Sequence, residues 1–240
     1  MKRLWSTLRT DVRLQWRHGF YYAVLVVTII AVLLGRQLTG ESLATLMPLV
    51  VVNNLIINGF YFVAGLVLLE KGEGTLEAQV VTPLRAGEYL ISKTLTLGLL
   101  SLLETAVLVL LTYGWPPRPL ALVAGVLLGT AFYTLAGFIV VARYDSINEY
   151  LLPSVPYAAL LALPLLPYAG IGNDLLVQLA FLHPLQPVLV FLESALQPVG
   201  NIWRPAFALL YGSLWLGLFF WLSLRSFHRF VVRKEGVRQR

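Results

Sequence analysis

Residues 70–93 read EKGEGTLEAQVVTPLRAGEYLISK. Long apolar runs flank this charged stretch, Leu46–Leu69 before it and Thr94–Tyr113 after it. Each supplies the ~20 apolar residues that a helix needs to cross a ~30 Å hydrocarbon core. The stretch therefore reads as a loop joining two membrane spans. Gly72 and Gly74 flank Glu73 and break the helix leaving the first of these runs. Thr75 is placed to cap a short helix over Leu76–Val81. Thr82 ends that helix, because the residue before Pro83 avoids helical angles. Thr82 and Pro83 then suit the N-cap and first position of the next long helix. Leu76, Val80 and Val81 give the short helix an apolar side that can dock on a partner, while Glu77 faces water or a partner cation. The plainer alternative is an amphipathic turn lying on the membrane surface.

The rest of the chain agrees with a membrane assignment. Its 240 residues are 58% hydrophobic and 12% charged, with a mean hydropathy of +0.77. This excludes a soluble domain. There are no cysteines, hence no disulfide, thiolate metal site or thiol nucleophile. The expected fold is all-α, a single domain over 1–240 with six transmembrane helices. The spans are Phe20–Gly35, Leu46–Leu69, Thr94–Tyr113, Leu120–Val141, Leu151–Tyr168 and Pro205–Leu224. Pro153, Pro156 and Pro164 interrupt the fifth and predict a kink there. Between the fifth and sixth spans, 170–204 holds two apolar pieces, Leu175–Leu182 and Val188–Leu196, split by HPLQP. Each is too short to cross alone. A pair of extracellular surface or re-entrant helices is expected, with one broken seventh span as the alternative.

Residues 1–19 are charged throughout, unlike a signal peptide. On a helix, Leu4, Trp5, Leu8, Val12 and Trp16 share one face, beside Lys2, Arg3, Arg9, Arg13 and Arg17. This predicts an amphipathic helix in the headgroup plane, with Trp anchoring and Arg snorkelling. The net charge of +6 belongs to membrane flanks rather than to nucleic-acid binding. With six spans and both termini in the cytoplasm, 15 of the 18 Lys and Arg residues lie inside, and only Arg36, Arg118 and Arg204 lie outside. Seven spans would put the basic tail outside, against the positive-inside rule.

No phosphate-binding G-x-x-x-x-G-K-[ST] loop, G-x-G-x-x-G or H-E-x-x-H occurs. His18, His183 and His228 fall in three separate regions, which argues against a shared metal or acid–base site. No catalytic residue is assigned. Polar groups inside the spans attract more interest. Glu104 lies in mid-span, and an intramembrane carboxylate is costly and turns toward the bundle or a cavity. Asn54, Asn58, Tyr61 and Gly65 form a polar or small stripe down the second span. These residues either contact a substrate or proton, or join helices by hydrogen bonds. Equal depth along their helices pairs Glu104 with Asn58. Gly125 and Gly129 permit close helix approach, as packing within the subunit.

The opening stretch resembles the E-x-x-x-G-T-L-E-x-L-x-x-T-P segment of ABC type-2 transporter permeases. Glu70, Gly74, Thr75, Leu76, Glu77, Thr82 and Pro83 match, followed by Glu88, Tyr89 and Lys93. The usual second leucine is replaced by Gln79 or Val80. SINEYLLPS (146–154) and HPLQPVLVFLESAL (183–196) are also similar to parts of that family. The resemblance implies a permease subunit of an ATP-driven exporter. It implies a coupling loop over 70–83, with Glu73, Gly74, Thr75, Leu76, Glu77, Thr82 and Pro83 meeting a separate cytosolic ABC ATPase subunit. ATP and Mg would sit on that ATPase, with no cofactor on this chain, and a second permease subunit would complete a homo- or heterodimer in the cell membrane. A small amphipathic molecule, drug or lipid is the expected cargo. The alternatives are export of a lipid-linked glycan, a non-transporting regulator and a membrane-embedded enzyme.

Overall fold

A computed structural model describes residues 2–38, 40–76, 85–197 and 203–232. Every regular element among them is helical. In chain order they are α1 (Lys2–Arg17), α2 (Phe20–Gly35), α3 (Gly40–Leu55), a π-helical segment (Ile56–Tyr61) and α4 (Phe62–Gly72). Then follow α5 (Ala86–Thr112), α6 (Pro119–Val141), α7 (Ile147–Ala162), the single turn α8 (Leu165–Tyr168), α9 (Asp174–Leu182) and α10 (Gln186–Leu196). The last is α11 (Trp203–Ser226), continued by a second π segment (Phe227–Val232).

Four helical stretches are long and apolar enough to cross a membrane: Ser42–Gly72, Ala86–Thr112, Pro119–Val141 and Trp203–Val231. Two bent pairs raise the number to six if each is one span. The first pair is α1 and α2, set 64° apart, with Gly19 between them at φ 78°. That left-handed geometry is open to glycine at no steric cost. The second pair is α9 and α10, bent by 95°, where His183 has extended backbone and ends α9. The expected first span is thus a helix of 16 residues, ~24 Å at 1.5 Å per residue. The fifth is also shorter than expected. Helix α7 runs unbroken through Pro153 and Pro156 and stops at Ala162, before Pro164.

Helix α6 is the centre of the bundle. It packs against α4, α5, α10, α11 and the first π segment. Small residues set these approaches. A Cβ on Gly137 would meet the Phe60 carbonyl oxygen at 2.6 Å, and one on Gly59 would meet Tyr133 Cβ at 2.6 Å. Glycine here lets α6 lie directly on the π-helical backbone. On the other side of α6, a Cβ on Gly125 would meet Phe191 Cβ at 3.0 Å. One on Gly129 would meet Leu55 Cδ1 at 2.6 Å and Val188 Cγ1 at 3.0 Å. The glycine pair therefore serves packing within this chain. Helix α10 is seated by its apolar side, with Val188, Leu189, Leu192 and Ala195 buried, whereas Leu175, Phe181 and Leu182 of α9 are exposed.

Candidate functional site

Helix α4 ends at Gly72, and Gly74 takes φ 69°, so the two glycines do stop the span. The Thr75 hydroxyl donates to the Glu70 carbonyl at 3.2 Å. It thereby satisfies a C-terminal carbonyl that the helix leaves open. Leu76 is 1% exposed and belongs to the apolar core. It fixes the root of the loop to its own bundle, and a side chain so buried is not free to anchor a partner, as the amphipathic pattern had suggested. Glu77, Thr82 and Pro83 lie outside the described residues. The next helix does not start at Thr82–Pro83. Its N-cap is Arg85, in extended backbone, and the helix proper begins at Ala86. The reason is Glu88, which accepts from the Arg85 backbone N–H at 3.0 Å and closes the first turn from the third helical position.

Beneath this loop, three elements meet around one cation. Lys93 of α5 is fully buried. Its Nζ donates to Asp11 Oδ1 of α1 at 2.6 Å and to Glu70 Oε1 of α4. Tyr89 O–H donates to the second Glu70 oxygen at 2.6 Å, and Ser92 O–H to the second Asp11 oxygen at 2.6 Å. One turn on, Gln15 Nε2 donates to Thr96 Oγ1 at 3.0 Å. Two carboxylates thus surround one ammonium, and all four carboxylate oxygens have partners. Buried ions hold a unique geometry only when their remaining valences are met in this way. Helix α1, the end of α4 and the start of α5 are thereby tied at one point.

Two surface contacts flank this node. Arg17 pairs with Glu73, and His18 Nε2 lies 3.3 Å from the same carboxylate. Lys71 donates to the carbonyls of Ala142 and Tyr144, at 3.1 and 2.6 Å. Of the residues singled out by the motif, Glu70, Tyr89 and Lys93 come together. Asp11, Gln15, Ser92 and Thr96 were not anticipated. Asp11 was visible as the only carboxylate before Glu41, in a helix of five cations.

A second polar layer lies deeper. Asn58 Nδ2 donates to Glu104 Oε2, whereas the nearby Thr28 hydroxyl of α2 donates to the Val24 carbonyl at 2.7 Å. Glu104 lies 11 residues beyond Lys93, ~16 Å further along α5. Asn58 sits within the π segment, a local widening that often marks functional positions. One turn beyond, Asn54 is 3% exposed and its Nδ2 has no partner among the described residues.

Long apolar helices stacked on a glycine-lined centre, with isolated polar groups inside, define a multi-pass helical membrane protein. A functional description comes from sequence comparison. The profile of the fluoroquinolones export permease protein family matches residues 2–235. Two proteins of Mycobacterium tuberculosis, from strains CDC 1551 / Oshkosh and ATCC 25618 / H37Rv, are similar to this chain. Each is named a fluoroquinolones export permease protein and is 34% identical over 241 residues, covering 99% of this chain and 100% of its own length. The chain belongs to the fluoroquinolones export permease protein family and is an ABC-type permease.

Proposed function

We propose that this protein is the membrane-spanning half of an ATP-driven exporter of the ABC type-2 class, with a separate cytosolic ATPase acting on the loop that follows Gly72. Six spans cross the membrane, the bend at Gly19 separating an interfacial α1 from the first of them. Both termini lie in the cytoplasm, which the placement of 15 of the 18 Lys and Arg residues supports. Two such subunits pair, and ATP and Mg are held by the ATPase.

The observation that carries this reading is the position of Glu70. It lies in the last turn before the loop and is joined through Lys93 to Asp11 and to α5. A push on the loop therefore reaches α1, α4 and α5 together, because breaking the buried node is costly. Within the loop, Gly74 makes the turn, Thr75 closes α4 and Leu76 secures the root. Glu77 and Glu73, the latter already paired with Arg17, supply the loop's charge beside the ATPase, with Thr82 and Pro83 shaping the return. Asn58 and Glu104 line the route taken by the cargo. The cargo is a small amphipathic drug of the kind named for the relatives, a fluoroquinolone.

The test is uptake of a fluoroquinolone into inverted vesicles containing the permease and its ATPase. ATP-dependent accumulation that is lost with the ATPase supports the reading. Accumulation that is independent of ATP, or absent while the complex hydrolyses ATP, contradicts it.

A further inference from the structure

A cavity of about 480 Å³ opens between α2 and α3, at the end of the bundle away from the loop. Ala31, Leu34, Met47, Val50 and Leu108 form its apolar wall, and Asn54 lines it from α3. Its size falls in the range that encloses a drug-sized molecule. Among the described residues, no Lys, Arg, Asp, Glu or His side chain lines it. Asn54 is buried and its Nδ2 has no protein partner among the described residues, and an unpaired buried amide donor is destabilising. Asn53, the next residue, is exposed on an otherwise apolar stretch of helix and also borders the cavity. Below Asn54, the Asn58–Glu104 pair forms the next polar layer, one turn nearer the loop.

We propose that this cavity holds the exported molecule, in an uncharged form that is largely aromatic, with one carbonyl oxygen accepting a hydrogen bond from Asn54 Nδ2 once that amide, enclosed in this structure, turns toward the cavity it borders. This rests on the export reading above. The apolar wall selects flat hydrocarbon surface. The unpaired buried donor selects an acceptor. The lack of a lining cation disfavours an ionised carboxylate, whose desolvation nothing at the site would offset. A lipid acyl chain would fill the same volume but leave Asn54 unpaired. The donor thus separates a solute site from a lipid-filled crevice.

The experiment measures fluoroquinolone fluorescence anisotropy with the full-length chain in lipid nanodiscs, without nucleotide. Asn54→Leu keeps the volume and removes the donor. Ala31→Phe fills the cavity. Saturable binding is expected for the wild type, weakened about tenfold by Asn54→Leu, the loss of one hydrogen bond, and abolished by Ala31→Phe. Asn54→Leu also removes an unpaired buried donor, so its melting temperature should equal or exceed the wild-type value, which keeps weakened binding distinct from misfolding. Wild-type affinity in Asn54→Leu overturns the inference, as does the absence of saturable binding by the wild type. If vesicle uptake of the drug persists in either case, only the site is wrong. If uptake fails as well, the export reading falls with it.

Discussion

Lys93 Nζ lies 2.6 Å from Asp11 Oδ1, although 82 residues separate the two in sequence. The pair joins α1 to the start of α5, and Glu70 completes it from α4. Each side chain is buried, so the three form one ionic unit at the root of the loop.

The charge count orders the consequences of substitution. Lys93→Met leaves two buried carboxylates without a cation, whereas Asp11→Asn leaves the Lys93–Glu70 pair balanced. Lys93→Met is expected to cost ~3–5 kcal/mol, the usual result of stranding a buried charge. Asp11→Asn is expected to cost ~1–3 kcal/mol, that of a lost charged hydrogen bond. Thermal or denaturant unfolding in nanodiscs checks the order, and an equal or reversed ranking would show that Asp11 carries more of the node than its charge.

Leu76 provides a second check. Because it is buried in its own chain, Leu76→Ala should lower the stability of the isolated permease by ~2–5 kcal/mol. The melting temperature of the chain alone decides this. A variant that melts like the wild type but fails to bind the ATPase would return Leu76 to the role of a partner anchor.

Asn58 and Glu104 separate structure from transport. Glu104→Gln keeps an acceptor for Asn58 Nδ2 and should leave stability within ~1 kcal/mol of wild type. Glu104→Leu strands that donor and should cost ~1–3 kcal/mol. Vesicle uptake then asks the functional question. If Glu104→Gln is stable and transports normally, the carboxylate serves only to join the helices.

The glycine contacts of α6 make a sharper contrast. A Cβ on Gly137 meets a backbone oxygen at 2.6 Å, whereas one on Gly217 meets nothing within 4 Å. Gly137→Ala should therefore cost ~1–3 kcal/mol or more, since a backbone atom cannot swing aside. Gly217→Ala should be neutral or slightly stabilising. Comparable melting of the two variants would contradict the packing described for α6 and the π segment.

These residues also show what sequence reading reaches. Glu70, Tyr89 and Lys93 stood out because they match the permease segment, and Tyr89 and Lys93 are one helical turn apart. Asp11 was overlooked because the Trp and Leu positions of α1 define a membrane-facing side. Which side the protein itself covers depends on how α1 docks on α5. Leu76 carries the same lesson, since an amphipathic pattern does not say whether the apolar face meets another chain or its own. The π segment was invisible, because it is accommodated by contacts distant in sequence, Gly137 against Phe60 and Gly59 against Tyr133. The start of α5 shifted from Thr82 to Arg85 because Glu88 offers a closing acceptor that a proline rule does not consider.

The claim that the loop after Gly72 receives the ATPase is tested most directly by site-specific crosslinking. The chain has no cysteines, so a single cysteine replacing Glu77 can carry a photoreactive maleimide. A cysteine replacing Trp115, which is exposed in the connection between α5 and α6, serves as the control at the opposite end. With the assembled complex, the account predicts a crosslink to the ATPase from position 77 and none from 115. A crosslink from 115, or none from 77 in a complex that still exports its drug on ATP, would contradict it.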